Sequence, residues 1–159
     1  ALADGHQRIQ LRLPPDHPQR VALCEAVVRG HRRAGQWLLN RDIELARTLG
    51  VGVHLGAEQL ATLQERPLPA DQLVAASCHD LAQLQAAQQL GCDFVVLGPV
   101  QATASHPGAE PMGWERFAAL RAQVALPIYA LGGLGADDIV TARRHGAQGI
   151  AAIRGFWPA

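Results

Sequence analysis

A regular alternation of short apolar runs with helix-like stretches is the feature that most constrains the fold of this chain. Seven apolar, β-branched runs follow one another at intervals of about 20 residues, and several of them are bounded by glycine. The predicted strands are residues 8–13, 37–40, 51–55, 73–77, 94–97, 127–131 and 150–153. The stretches between them with helical spacing of apolar residues are 19–34, 42–49, 58–64, 80–90, 114–123 and 136–145.

Alternation of this kind predicts an α/β fold in which right-handed crossovers build a parallel sheet covered by helices. An open doubly wound sheet and a (β/α)₈ TIM barrel both fit the pattern, and the short repeat favours the compact barrel. A closed barrel has eight strands, whereas the sequence shows seven. We therefore expect residues 1–159 to form one barrel domain that lacks its first β/α unit, which would precede Ala1 in a longer parent chain.

The composition excludes several classes of function. The chain has no lysine, so Schiff-base chemistry and a P-loop lysine are excluded. Its formal net charge is zero and it has no basic run, which argues against nucleic acid as a partner. No apolar run approaches the ~18 residues of a membrane-spanning helix.

The three cysteines, Cys24, Cys78 and Cys92, are odd in number and form no C-x-x-C pair. They are typical of reduced thiols, which predicts a cytoplasmic location. We considered zinc binding by Cys78, His79 and Cys92, but their spacing fits no usual zinc pattern. We interpret these cysteines as small buried apolar residues.

Nearly all the scarce polar residues follow the ends of predicted strands, where parallel α/β folds place their chemistry. The candidate site residues are Gln10, Arg12, Asn40, His54, Ser77, His79, Thr103, Ser105, His106, Gly132, Gly133, Arg154 and Gly155, with Asp42 and Glu58 close behind two of the strands. Individually, Asn40 and Ser77 could instead cap the helices that follow them, and His54 could be a satisfied buried histidine. Their joint clustering favours a site.

Two glycine-containing strand ends indicate the kind of ligand. The segment Leu131-Gly132-Gly133-Leu134-Gly135 precedes a helix, where backbone N–H groups and the helix dipole favour an anion. In a barrel, the loop after the last strand lies beside it, and Arg154 in that loop suits phosphate geometry. These features predict a phosphorylated small-molecule substrate.

Several ordered motifs resemble the family of thiamine phosphate synthase and its TenI-type relatives. They are Gln10-Leu11-Arg12, Asn40, Gly52-Val53-His54-Leu55-Gly56, Ser77-Cys78-His79, Gly98-Pro99-Val100 through Thr103, Leu131-Gly132-Gly133-Leu134 and Gly146-Ala147-Gln148-Gly149. The segment from Gly98 to Gly108, with Gly113-Trp114 after it, is most similar to the variant fused behind a Nudix (MutT-type) hydrolase domain.

The resemblance implies a (β/α)₈ barrel that joins an aminopyrimidine methyl diphosphate to a thiazole phosphate, with release of diphosphate. It implies a Mg²⁺ cofactor, and it places Gln10, Arg12, Asn40, Ser77 and Thr103 against the pyrimidine diphosphate. It also places Gly133 against the thiazole phosphate. Because the departing diphosphate leaves a pyrimidine carbocation, catalysis is expected to consist mainly of charge stabilisation.

The sequence departs from the family pattern at four charged or polar positions. Pro14 and His106 stand where the family has lysines, Arg41 where it has a metal-binding aspartate, and Arg154 where it has a serine. Asp42 and Glu58 remain as candidate Mg²⁺ ligands, and Arg41 and Arg154 can supply positive charge. Arg12 and His106 are the candidate catalytic residues.

These departures leave two alternative functions open. One is a non-catalytic phosphate-binding or regulatory module of a Nudix fusion protein. The other is a TenI-type thiazole phosphate isomerase, in which His106 or His79 moves the proton because Pro99 occupies the position of the family histidine. Since an open barrel exposes two strand edges, we also expect a homodimer or an aggregation-prone fragment.

Overall fold

A computed structural model describes residues 8–31, 35–103, 108 and 110–153 of the chain. The described strands are β1 (Arg8–Leu11), β2 (Gln36–Asn40), β3 (Gly52–Leu55), β4 (Val74–Cys78), β5 (Phe94–Leu97), β6 (Ile128–Leu131) and β7 (Gly149–Ala151). The described helices are α1 (Arg20–His31), α2 (Ile43–Leu49), α3 (Ala57–Leu60), α4 (Leu81–Gln89), α5 (Gly113–Arg121) and α6 (Ile139–Arg144). All seven predicted strands are confirmed.

The seven strands form one parallel sheet in the sequential order β1 to β7. Each strand pairs in parallel with the next one along the chain. Every connection is therefore a crossover between two neighbouring strands of the sheet. This order confirms the barrel-type arrangement and excludes the doubly wound alternative, in which the strand order reverses at a switch point.

The sheet is strongly curled. Arg8 at the start of β1 donates a hydrogen bond to the Tyr129 hydroxyl on β6, and its guanidinium lies 5.0 Å from the ring centroid of Phe94 on β5. In a flat sheet, β1 and β6 would be separated by five spacings of about 4.8 Å each, well beyond the reach of one side chain. The contacts therefore require the sheet to close round on its concave face.

Two apolar layers hold this curled sheet. The larger one lies between the sheet and the helices and includes the fully buried Phe117, Leu84 and Leu55. The smaller one fills the concave face with Leu38, Ala75 and Phe94, against which Tyr129 packs. Because side chains alternate along a strand, the same strands supply both layers.

The structure differs from the sequence-based expectations mainly at helix boundaries. The predicted helix 58–64 is the single turn α3, and the predicted helix 136–145 is divided into a 3₁₀ turn, Ala136–Asp138, and α6. The side chain of Asp138 accepts a hydrogen bond from the Gly135 N–H at 2.9 Å, which stabilises the tighter turn there.

An eighth strand does not occur among the described residues, and within them β1 and β7 have no pairing with each other. Closure into an eight-unit barrel, and a missing unit before Ala1, therefore stay predictions. In the described part of the chain, no helix is long and apolar enough to cross a bilayer.

Candidate functional site

The ends of β1 and β2 bring two amide side chains together. Gln10 Nε2 donates a hydrogen bond of 2.7 Å to Asn40 Oδ1 on the neighbouring strand. Asn40 does not cap the helix that follows, because the side chain of Asp42 takes that role and accepts from the Leu45 N–H at 3.0 Å. The pairing leaves the side-chain carbonyl oxygen of Gln10 and the side-chain amide N–H groups of Asn40 available for further hydrogen bonds.

A second polar pair lies beside the first. His54 on β3 is opposite Asn40 in the sheet register, and its Nε2 lies 2.9 Å from Ser77 Oγ on β4. Ser77 does not cap the next helix either, since the side chain of Asp80 accepts from the Gln83 N–H at 2.8 Å. Four predicted site residues thus form two neighbouring pairs across four consecutive strands.

His54 is the one polar or charged side chain in the buried class among the described residues, with 6% of its surface exposed. Burial is the largest cause that lowers its pKa to about 4, and the positive charges of Arg12 and Arg41 add to the effect. The imidazole is therefore neutral at physiological pH, and its hydrogen bond with the Ser77 hydroxyl joins two uncharged groups.

The ends of β5 and β6 approach each other so closely that only glycine fits. A Cβ on Gly98 would lie 2.1 Å from the carbonyl oxygen of Leu131, and one on Gly132 would lie 2.6 Å from Pro99 Cα. A Cβ on Gly133 would lie 2.5 Å from the carbonyl oxygen of Ala102. Because Gly132 and Gly133 have φ values of 103° and 68°, the turn needs glycine for its conformation as well.

His79 connects the two halves of this rim. Its Nδ1 lies 2.6 Å from the carbonyl oxygen of Gly98, so the end of β4 contacts the end of β5. From β1 to β6, each strand end therefore touches or pairs with the next. Gln10, Asn40, His54, Ser77, His79, Gly132 and Gly133 lie around one mouth, at the edge where the sequence places them.

The remaining predicted site residues are only partly covered by the structure. Thr103 is half-buried and follows Ala102, whose carbonyl is next to Gly133. Ser105, His106, Arg154 and Gly155 lie outside the described residues, so their assignments stay predictions.

The two candidate magnesium ligands are both engaged by arginine. Asp42 Oδ2 lies 2.5 Å from Arg20 Nη1, while its Oδ1 accepts from the Leu45 N–H. Glu58 Oε1 lies 2.8 Å from Arg41 Nη1. Among the described residues, no three His, Cys, Asp or Glu side chains gather as metal ligands. As they stand, these carboxylates do not fit a resident Mg²⁺, which needs free oxygen ligands.

The cysteines behave as buried apolar residues in the structure. Cys24, Cys78 and Cys92 are free thiols with little exposure, and burial raises the pKa of Cys78 and of Cys92 to about 12. This burial agrees with the interpretation of the three cysteines as small buried apolar residues.

The structure shows a cavity at the mouth, and one of its lining residues, Arg20, is not among the residues predicted from the sequence. A cavity of about 390 Å³ lies beside Asn40 and Arg12 and is also lined by Arg20, Arg41 and Asp42. Arg20 lies at the start of α1, nine residues after β1, and no local motif relates it to Asp42. Only the packing of α1 next to the β2–α2 connection brings the two together.

Comparison with known proteins agrees with the geometry. The sequence pattern that describes the thiamine monophosphate synthase family matches residues 1–156 of this chain. A protein of Geobacter sulfurreducens, provisionally named a thiamine-phosphate synthase, is 37% identical over 159 residues, which cover 96% of this chain and 74% of that protein. A thiamine-phosphate synthase of Prochlorococcus marinus is 35% identical over 157 residues, which cover 96% of this chain but 44% of that protein.

Solved structures show the same fold. Thiamine phosphate pyrophosphorylase from Pyrococcus furiosus superposes with a TM-score of 0.75 at 22% identity, covering 96% of this chain and 74% of that chain. A 3-hexulose-6-phosphate synthase superposes with a TM-score of 0.64 at 18% identity. From the extent of the family match and the identity to these relatives, the chain belongs to the thiamine monophosphate synthase family.

Proposed function

We propose that this protein is a thiamine phosphate synthase, which joins an aminopyrimidine methyl diphosphate to a thiazole phosphate and releases diphosphate. The observation that carries the proposal is the pair of neighbouring hydrogen bonds, Gln10 to Asn40 and His54 to Ser77, at the C-terminal ends of β1 to β4. Family membership and the names of the relatives support the same reaction.

The reaction breaks the bond between the methylene carbon and the diphosphate oxygen, and the electron pair leaves with the diphosphate. A ring nitrogen of the thiazole phosphate supplies the pair for the new carbon–nitrogen bond. Stabilising the departing negative charge is the main task, and Arg12 is the proposed catalytic group for it. The amide groups of Gln10 and Asn40 suit the donor and acceptor edge of an aminopyrimidine, and Ser77 is held towards it by the neutral His54.

The thiazole phosphate is proposed to lie at the other side of the mouth, against Gly132 and Gly133. Gly133 is exposed, and its backbone runs close to residues 101–102, because a Cβ on it would lie 2.5 Å from the Ala102 carbonyl oxygen and 2.9 Å from Gln101 Cβ. Short backbone turns of this kind expose N–H groups to an anion, which supports a phosphate site there. Ser105, His106, Arg154 and Gly155 stay proposed members of the same site.

The test is to incubate the protein with both substrates and measure thiamine phosphate and diphosphate together. We expect equal amounts of both products, and kcat/KM should fall at least about tenfold in Ser77→Ala, because a polar contact to the reacting group is lost. Thr48→Ala is the control, since Thr48 donates to the Glu44 carbonyl on the exposed face of α2. Ligand binding without any product would contradict the synthase and favour the binding module; product from the thiazole phosphate alone would favour the isomerase.

We further propose three properties that extend this function. The parent chain closes an eight-unit barrel, it carries a Nudix domain before this one, and the protein is cytoplasmic. The Gly98-to-Gly108 segment supports the fusion, and the three free thiols support the location. The sequence upstream of Ala1 tests the first two: a Nudix motif there supports the fusion, and an additional strand pattern supports closure.

A homodimer is the proposed assembly. The outer edges of β1 and β7 have no strand partner among the described residues, and Val21 on α1 is 51% exposed. A second copy would cover such edges and apolar surface. Light scattering of the purified protein tests this, and a monomer over a range of concentrations would contradict it.

A further inference from the structure

The cavity beside Asn40 carries an excess of positive charge. Its charged side chains are the guanidinium groups of Arg12, Arg20 and Arg41 and the carboxylate of Asp42. Three positive charges and one negative charge line the cavity, and Glu58, whose Oε1 lies 2.8 Å from Arg41 Nη1, brings the local balance to one positive charge in excess. We call this cavity the arginine pocket and define it by Arg12, Arg20, Asn40, Arg41 and Asp42.

The backbone conformation of Arg41 is unusual and is fixed by hydrogen bonds. Arg41 has a φ of 63°, a left-handed conformation that is unfavourable for a residue with a side chain. Hydrogen bonds hold it there on both sides, because its N–H donates to the His54 carbonyl at 2.8 Å and its carbonyl accepts from Gln59 Nε2 at 3.0 Å. An arginine fixed in this way presents its charge with little loss of backbone freedom.

The two carboxylates in and next to the pocket are both paired with arginine. Both oxygens of Asp42 already accept hydrogen bonds, from Arg20 and from the Leu45 N–H. Glu58 is paired with Arg41. A divalent cation on either carboxylate would lie beside guanidinium groups, where like charges repel, and on Asp42 it would also have to displace Arg20 or the Leu45 N–H. Asp42 therefore acts as a positioning residue for Arg20.

We infer that the arginine pocket binds the diphosphate group of the pyrimidine substrate directly through guanidinium groups, with no bridging Mg²⁺. The inference rests on the proposed function for the identity of the substrate. Guanidinium groups match phosphate oxygens with paired hydrogen bonds, and three of them line the pocket. Arg12 and Arg41 make the contacts, and Arg20 adds charge from its fixed position against Asp42.

The test measures binding of inorganic diphosphate by calorimetry, once with a chelator present and once with Mg²⁺. We expect binding in the chelator, and Mg²⁺ should leave the affinity equal or weaker because it neutralises the free anion. Arg41→Gln and Arg12→Gln should each weaken binding about tenfold, whereas Arg29→Gln, an equal change of charge on the far end of α1, should leave it unchanged. Binding that requires Mg²⁺ in the unchanged protein would overturn the inference.

A charge reversal gives the sharpest second variant. Arg41→Asp places a free carboxylate where the guanidinium was, so we expect diphosphate binding to be lost in the chelator and restored by Mg²⁺. Binding by this variant that is indifferent to Mg²⁺ would contradict the role of Arg41. The turnover assay keeps the two proposals apart, because product formed only with Mg²⁺ overturns this inference alone, whereas metal-free diphosphate binding without product overturns the synthase alone.

Discussion

The side chains of Asn40 and Ser77 stay available for the proposed site because an aspartate downstream of each caps the next helix. Asp42 caps α2 and Asp80 caps α4, each by accepting from a backbone N–H three residues on. Asn40 and Ser77 then pair with Gln10 and His54 on adjacent strands. At the residue scale, the proposed site depends on this division between the residues that cap helices and those that pair across the strand ends.

His54 should make stability depend on pH in a defined direction. Its pKa is lowered to about 4 in the folded protein, against about 6.5 when unfolded, so between these values the unfolded chain binds a proton that the folded one does not. The free energy of unfolding should therefore fall as pH drops from 6.5 to 4, by up to about 3 kcal/mol. Urea unfolding at pH 7.5, 5.5 and 4.5 measures this fall.

The His54→Gln variant is the control for this prediction. Glutamine keeps a polar contact to Ser77 but does not titrate, so the difference in unfolding free energy between pH 7.5 and 4.5 should shrink by the contribution of His54. An identical pH dependence in both proteins would show that other groups cause the loss of stability.

The sequence is enough to select the residues of the proposed site but not to predict which hydrogen bonds each one makes. Strand ends and residue types are enough to select Gln10, Asn40, His54 and Ser77. The choice between capping and site roles depends on side-chain direction, which periodicity does not contain. Arg20 was missed for a related reason, because its partner Asp42 lies 22 residues away in sequence and on a different element.

At the element scale, the contact between the ends of β5 and β6 is built from glycine. Gly98 lies against Leu131 at the end of β6, and Gly132 lies against Pro99 after β5, each too close for a side chain. The Val100 N–H also donates a hydrogen bond to the Leu131 carbonyl at 2.8 Å. The motif Gly132-Gly133 could be predicted as a turn, but its close approach to Pro99 is a tertiary feature. The presence of a glycine in the sequence does not show whether the position requires a positive φ or whether a neighbouring element leaves no room for a side chain.

Gly132→Ala should destabilise the protein by about 1–3 kcal/mol. Its Cβ would meet Pro99 Cα at 2.6 Å, and its φ of 103° is unfavourable for alanine. Gly30→Ala is the matched control, since nothing lies within 4 Å of its Cβ and α1 favours alanine, so it should be neutral or stabilising. Thermal unfolding of both variants checks the prediction, and equal melting temperatures would contradict the close approach.

At the scale of the whole molecule, curvature is the property that places the strand ends in one mouth. Periodicity predicts seven parallel strands, and the short repeat favours the sequential strand order of a barrel over the doubly wound alternative; the structure confirms both the strands and that order. It does not predict the amount of curl, because that depends on pairs such as Arg8 and Tyr129, which are 121 residues apart. The apolar cluster on the concave face is small, so it alone contributes little to holding the curl. We therefore expect the polar and cation–π contacts at the N-terminal ends of the strands to contribute as well.

The Arg8 contacts should therefore be coupled rather than independent. Arg8 Nε donates to Gln36 Oε1 at 3.0 Å, while its guanidinium also contacts Tyr129 and lies over Phe94. Arg8→Met should reduce the free energy of unfolding by about 1–2 kcal/mol, and Tyr129→Phe by about 0.5–1.5 kcal/mol. Because both variants remove the same hydrogen bond, the double variant should cost less than the two together, as urea unfolding in a double-mutant cycle would measure. Strict additivity would mean that the contact across the concave face contributes nothing to stability, and the curl would then have to come from the apolar layers alone.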